Sequence, residues 1–167
     1  SSIINTTLVF FLVIAVGIFF MSPKLINLLA VGSFSKEEIL LGSNLMRIML
    51  ISQVLLVAGS LATSILQSYK YFIIPALAPI FYNVGMIVGI VFLSKDYGIY
   101  GPAAGVALGS ILHFGIQIPL LKRSGFKFSL TLNIKDKNYK KMFALVPPRI
   151  ASVLIANVIQ TINNSLA

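Results

Sequence analysis

The sequence contains no cysteine, which excludes a disulfide framework, a thiolate metal site and a cysteine nucleophile, and leaves the redox compartment unspecified. Acidic residues are nearly as scarce: Glu37, Glu38, Asp96 and Asp136 are the whole supply. All four lie between apolar runs, and no His/Asp/Glu grouping has metal-ligand or acid–base spacing. No enzyme chemistry and no cofactor are therefore expected. Charged residues make up only 10% of the 167 positions, against 57% hydrophobic, with a mean hydropathy of +0.96. A soluble domain is about 25% charged and about 45–50% apolar, so a water-facing exterior is excluded. Glycine-rich nucleotide loops are absent too, because the glycines that recur sit inside an apolar run with no strand before them.

What is present is apolar length. Charge-free stretches cover 8–21, 48–66, 71–93, 97–121 and 150–167, and four of these reach the roughly 18–20 residues that cross a hydrocarbon core. The first reaches that length if it continues through Ser22 and Pro23 to Ala30, with Lys24 snorkelling to the headgroups. The pattern predicts an all-α polytopic transmembrane helical bundle of about five spans. No cleavable leader followed by a soluble body is seen. The chain opens on Ser1 and stops within an apolar run at Ala167, as expected of an internal piece of a longer protein.

The net charge of +9 would suggest nucleic acid in a soluble protein, but here the basic residues fall between the spans and no nucleic-acid partner is expected. The gap 122–142 holds Lys122, Arg123, Lys127, Lys135, Lys137, Lys140 and Lys141 against Asp136. The positive-inside rule places it in the cytoplasm. Alternation then puts the Lys70 turn in the cytoplasm and the 32–43 and 94–100 loops outside. Within the basic gap, Phe126, Phe128, Leu130, Leu132 and Ile134 alternate with polar residues, the period of an extended segment. Asp136 is placed to cap the following helix, which Pro147 and Pro148 should kink.

Three constellations stand out. Gly101, Gly105 and Gly109 recur every four residues in the fourth run, Gly85 and Gly89 in the third, and such rows let helix backbones approach closely in lipid. His113 and Gln117 extend the first row, which turns the lone mid-span histidine toward protein rather than lipid; it is either a hydrogen-bonded structural group or a proton-coupling one. Pro75, Pro79, Pro119 and Pro23 mark helix starts or hinges. In the last run Asn157, Gln160, Thr161 and Asn164 share an arc of about 100°, with Arg149 near its edge about two turns away. These polar groups face other helices or a water-filled cavity, and Arg149 is either an interfacial anchor or a contact for an anionic headgroup.

Several segments together resemble a known family: Arg47-Ile48-Met49-Leu50; the turn from Ser68 to Pro79 with Tyr82-Asn83; Gly98-Ile99-Tyr100-Gly101 leading to Gly105, Gly109, His113, Gln117 and Pro119; and Pro148-Arg149. In this order they look like the MurJ/MviN family, lipid II flippases of bacterial peptidoglycan synthesis within the multidrug/oligosaccharidyl-lipid/polysaccharide (MOP) exporter superfamily. Ile51, Gln67 and Tyr71 depart from the family pattern. The resemblance runs from about Arg47 onward; 1–46 agree only in hydropathy.

The resemblance implies a two-lobed MOP-type transporter of the bacterial cytoplasmic (inner) membrane. In it, 1–121 are spans of the N-terminal lobe, 122–142 the cytoplasmic inter-lobe linker and 143–167 the first span of the C-terminal lobe, the whole corresponding to the third to seventh spans. It implies a polyprenyl pyrophosphate-linked glycan as cargo, the lipid bilayer as medium and cell-wall synthesis proteins as candidate partners. It also places the seventh span, Arg149 to Ala167, along the substrate cavity, which makes Arg149 and the polar arc of Asn157, Gln160, Thr161 and Asn164 the candidate pathway residues. A flippase for another lipid-linked glycan, a drug exporter of the superfamily and a non-transporting scaffold are the alternatives.

Overall fold

A computed structural model of the chain describes residues 2–29, 34–126 and Ser152. The chain divides into two compact units, Thr7–Phe128 and Ser1–Thr6 with Ser129–Ala167. Helices α1 (Ser2–Leu29), α2 (Lys36–Ser68), α3 (Ile73–Val88), α4 (Ser94–Tyr97), α5 (Tyr100–Gly115) and α6 (Ile118–Arg123) follow in order, with a π-helical turn, Gly89–Leu93, joining α3 to α4. No strand occurs among the described residues. Four helical stretches, Ile4–Leu28, Lys36–Ser68, Ile73–Tyr97 and Tyr100–Arg123, are long and apolar enough to cross a membrane. Helix is the expected outcome: in lipid each backbone N–H and C=O must be satisfied within its own segment. The 127–151 segment, with most of its alternating pattern, Asp136 and Pro147-Pro148, lies outside the described residues, as does the fifth run apart from Ser152.

The radial order of side chains is inverted relative to a soluble domain. Val13, Phe20, Leu28, Ile73 and Phe92 are more than half exposed, while the interior is Ala62, Ala78, Ala103 and Leu66 with Ser22, Ser43, Ser52, Ser110 and Gln117. With no hydrophobic drive between helices in lipid, small residues that allow close approach take the interior instead. The buried serines return their hydroxyls to their own helices, Ser43 to Ile39 O at 2.6 Å, Ser52 to Ile48 O at 3.0 Å and Ser110 to Ala107 O at 2.7 Å.

The loops are shorter than the charge pattern suggests. Residues 36–43, expected outside the helix, form the first turns of α2, because Ser35 and Glu38 make a capping box: Ser35 Oγ accepts from Glu38 N at 3.2 Å and Glu38 Oε2 accepts from Ser35 N at 2.8 Å. Such a box satisfies two otherwise orphaned donors. Most of the expected 94–100 loop is likewise helical as α4, leaving Gly98 and Ile99 to make the turn. Gly98 has φ 54° and ψ −129°, a conformation essentially confined to glycine. At the other end of α2, Lys70 takes φ 64°, while Tyr71 N donates to Leu66 O at 2.9 Å. This is the left-handed helix stop that glycine normally supplies.

Helices α3 and α5 run antiparallel along the glycine rows. A Cβ on Gly85 would overlap the backbone of Gly109, one on Gly89 that of Gly105, and one on Gly101 the backbone of Ser94. The π turn explains the last pairing. On α5 the contacts recur every four residues; along the continuous stretch from α3 through the π turn into α4 they fall at Gly85, Gly89 and Ser94, and the extra residue of the wide turn keeps the third contact on the same face. Ser94 Oγ donates back to Gly89 O at 3.4 Å, within that wide turn.

Candidate functional site

Polar side chains that a span cannot show to lipid gather where α5 crosses α2. Gln117 is fully buried. Its Nε2 donates to Gly59 O at 3.2 Å and to His113 O at 2.9 Å, and its Oε1 accepts from Thr63 Oγ1 at 2.9 Å. The local chain prepares this. Pro119, at the start of α6, has no N–H, and α5 ends in a tight turn in which Gln117 N donates to Phe114 O at 3.1 Å. The His113 carbonyl, which Gln117 N would serve in an unbroken α-helix, takes the Gln117 side chain instead.

His113 lies directly on Gly59: a Cβ there would overlap its Nδ1. That nitrogen is buried and has no hydrogen-bond partner among the described residues. The row from Gly101 therefore has two partners. Gly101, Gly105 and Gly109 face the stretch from α3 through the π turn to Ser94, whereas His113 and Gln117 face α2. Four residues on a helix of 3.6 per turn advance the row by about 40° a step, enough to carry it from one neighbour to the next. The histidine faces protein, as its place in the row implied, but across a different seam. The Thr63 and Gly59 half of this node was not anticipated. Its sequence signal is a small residue and a hydroxyl four apart, Gly59 and Thr63, on the span facing His113 and Gln117.

A second polar node joins α1 to α2. Pro23 has no N–H to give Phe19 O, its i−4 carbonyl. That carbonyl accepts instead from Ser22 Oγ at 3.0 Å and from Arg47 Nε at 3.4 Å. The Arg47 guanidinium also lies 5.1 Å over the Phe19 ring centroid and reaches Asn44 Oδ1 at 3.4 Å. Pro23 and Phe19 stand four apart in the sequence, which makes the orphaned carbonyl legible there, though not its partner.

No group of three His, Asp or Glu side chains that could hold a metal occurs among the described residues. The arrangement offers interhelical bonds and the half-buried Arg47 guanidinium rather than an acid–base pair. The five residues expected to line a pathway, Arg149, Asn157, Gln160, Thr161 and Asn164, all lie outside the described residues.

Against this geometry the comparisons are specific. The family model described as lipid II flippase MurJ matches residues 1–167. The probable lipid II flippase MurJ of Buchnera aphidicola subsp. Acyrthosiphon pisum is 36% identical over 124 residues, 72% of this chain and 24% of that protein. The lipid II flippase MurJ of Thermosipho africanus is 33% identical over 78% of this chain and 27% of its own length. The probable lipid II flippase MurJ of Borreliella burgdorferi is 26% identical over 93% of this chain and 30% of its own. The chain thus spans about a quarter of the length of the curated relatives it matches. No solved structure matches the chain significantly.

Proposed function

Because the chain belongs to the MurJ family of lipid II flippases, we propose that it forms part of a multi-pass transporter moving lipid II across the bacterial cytoplasmic membrane by alternating access. The observation that carries this reading is the family match over residues 1–167. The physical picture is compatible: an amphiphile keeps its polyprenyl tail in lipid while its charged head crosses a hydrated path between two helical lobes that rock against one another. The α2–α3–α5 block, with backbones in contact and its buried amide satisfied, suits a lobe that moves as a body.

In this reading 122–142 is a cytoplasmic linker, and Asn157, Gln160, Thr161 and Asn164 line the pathway. Arg149 draws the anionic head to its inner mouth. Four polar groups on one helix face are too expensive to leave unsatisfied in lipid, at about 1–3 kcal/mol each. The test uses single cysteines in the full-length protein. Cysteines at the four polar positions should react with small hydrophilic thiol reagents and be shielded by added lipid II. On intact cells, cysteines at the exposed Phe34 and Tyr97 should label from outside and one at Lys122 should not. Reaction at Val158 and Ile162 instead of the four, or labelling confined to Lys122, contradicts the proposal.

A further inference from the structure

Helices α1 and α2 are joined differently from the rest of the bundle. Between them lies a groove of about 330 Å³ lined wholly by apolar side chains, among them Leu12, Val16, Phe19, Leu50, Val54 and Leu55. A smaller hollow of about 180 Å³, lined by Phe11, Ile14, Ile18 and Gln53 among others, opens between the same two helices. Along the α3–α5 seam, by contrast, backbone meets backbone at Gly85 and Gly109. Arg47 stands at the rim, one turn from Leu50 and immediately before the charge-free run 48–66. It therefore stands at the edge of the charge-free run, about three turns inside the start of α2 at Lys36.

The guanidinium is half-buried on the Phe19 ring, which also forms a wall of the groove. Its two hydrogen bonds, to Phe19 O and Asn44 Oδ1, are both 3.4 Å long, and no carboxylate pairs with it among the described residues. The one acidic side chain with an ordered partner there, Glu38, is turned back onto its own cap at Ser35. A planar cation with unused N–H donors suits a bidentate phosphate oxygen pair, and an apolar groove running from it into the membrane suits a hydrocarbon chain.

We propose that Arg47 and the α1–α2 groove form a binding site for a bilayer phospholipid with a net anionic headgroup. Its phosphate meets the guanidinium and one acyl chain lies in the groove. By leaving Phe19 O without its helical donor, Pro23 gives Arg47 an acceptor on a residue that lines the groove. The site does not depend on the cargo or on the transport reading. It would tie α1 to α2 through a lipid where their side chains leave space.

The experiment uses the full-length protein in nanodiscs of phosphatidylglycerol mixed with phosphatidylcholine, carrying a photo-crosslinking amino acid at Ala15 or Val54, with adducts identified by mass spectrometry. Phosphatidylglycerol adducts should exceed their share of the bilayer several-fold, and Arg47→Gln should reduce that enrichment to parity while Lys24→Gln leaves it unchanged. Crosslinks mainly to the protein's own polypeptide, or to a polyprenyl lipid, overturn the proposal, as does enrichment that survives Arg47→Gln. Should Arg47→Gln fail to accumulate, the wild-type ratio decides: enrichment supports the site, parity overturns it.

Discussion

Gln117 shows how a single side chain acts on a whole interface. Its amide serves α2 through Gly59 O and Thr63, and its own helix through His113 O. Substituting Gln117→Leu removes donor and acceptor together, leaving Thr63 and Gly59 O to fall back on intrahelical partners. Interhelical hydrogen bonds in membranes average about 0.6 kcal/mol, so a loss of about 1–2 kcal/mol is expected for the several bonds of this node. Thr63→Val removes one of them and should lose less. Thermal stability of the detergent-solubilised full-length protein, with the order wild type, Thr63→Val, Gln117→Leu, checks this; equal stability of all three would show that the node carries no energy. The sequence marks Gln117 and His113 as protein-facing. It leaves their partner open, because nothing local says which neighbour a drifting row will meet.

At the scale of elements, the spans are legible because apolar length and lipid thickness leave few choices. Their ends are less so. Charge suggests that the membrane stops near Arg47 and Leu93, while the helices continue, α2 back to its cap at Ser35 and α3 through the π turn into α4. The capping box at Ser35 and Glu38 was available in the sequence, since a serine followed three residues later by glutamate is its signature. The π turn was not, because it arises from matching two helices rather than from either alone. The glycine rows were legible as packing surfaces, and the structure gives them partners. Gly105→Leu would push Gly89 and the carbonyl of Met86 away and should lower the steady-state level of the full-length protein several-fold. Gly17→Leu, where a side chain meets open space, should leave it unchanged. Immunoblots of membranes at equal expression compare the two; normal abundance for Gly105→Leu would contradict the seam.

For the molecule as a whole, family membership and the helical bundle were both readable from the residues between Arg47 and Arg149, since the ordered segments are more specific than any one of them. The pathway was read from Asn157, Gln160, Thr161 and Asn164 on helical periodicity alone; those positions lie outside the described residues, so they stand as a proposal for the labelling experiment. The function proposed for the full-length protein is transbilayer movement of lipid II. The most direct measurement reconstitutes the full-length protein into liposomes with fluorescent lipid II and follows how much of the label a membrane-impermeant quencher reaches from outside. Inner-leaflet lipid II should become accessible at a rate that rises with protein density and falls with unlabelled lipid II as competitor. A quenched fraction that stays at the outer-leaflet share at every protein density, with the protein verified as folded and inserted, would overturn the proposed function.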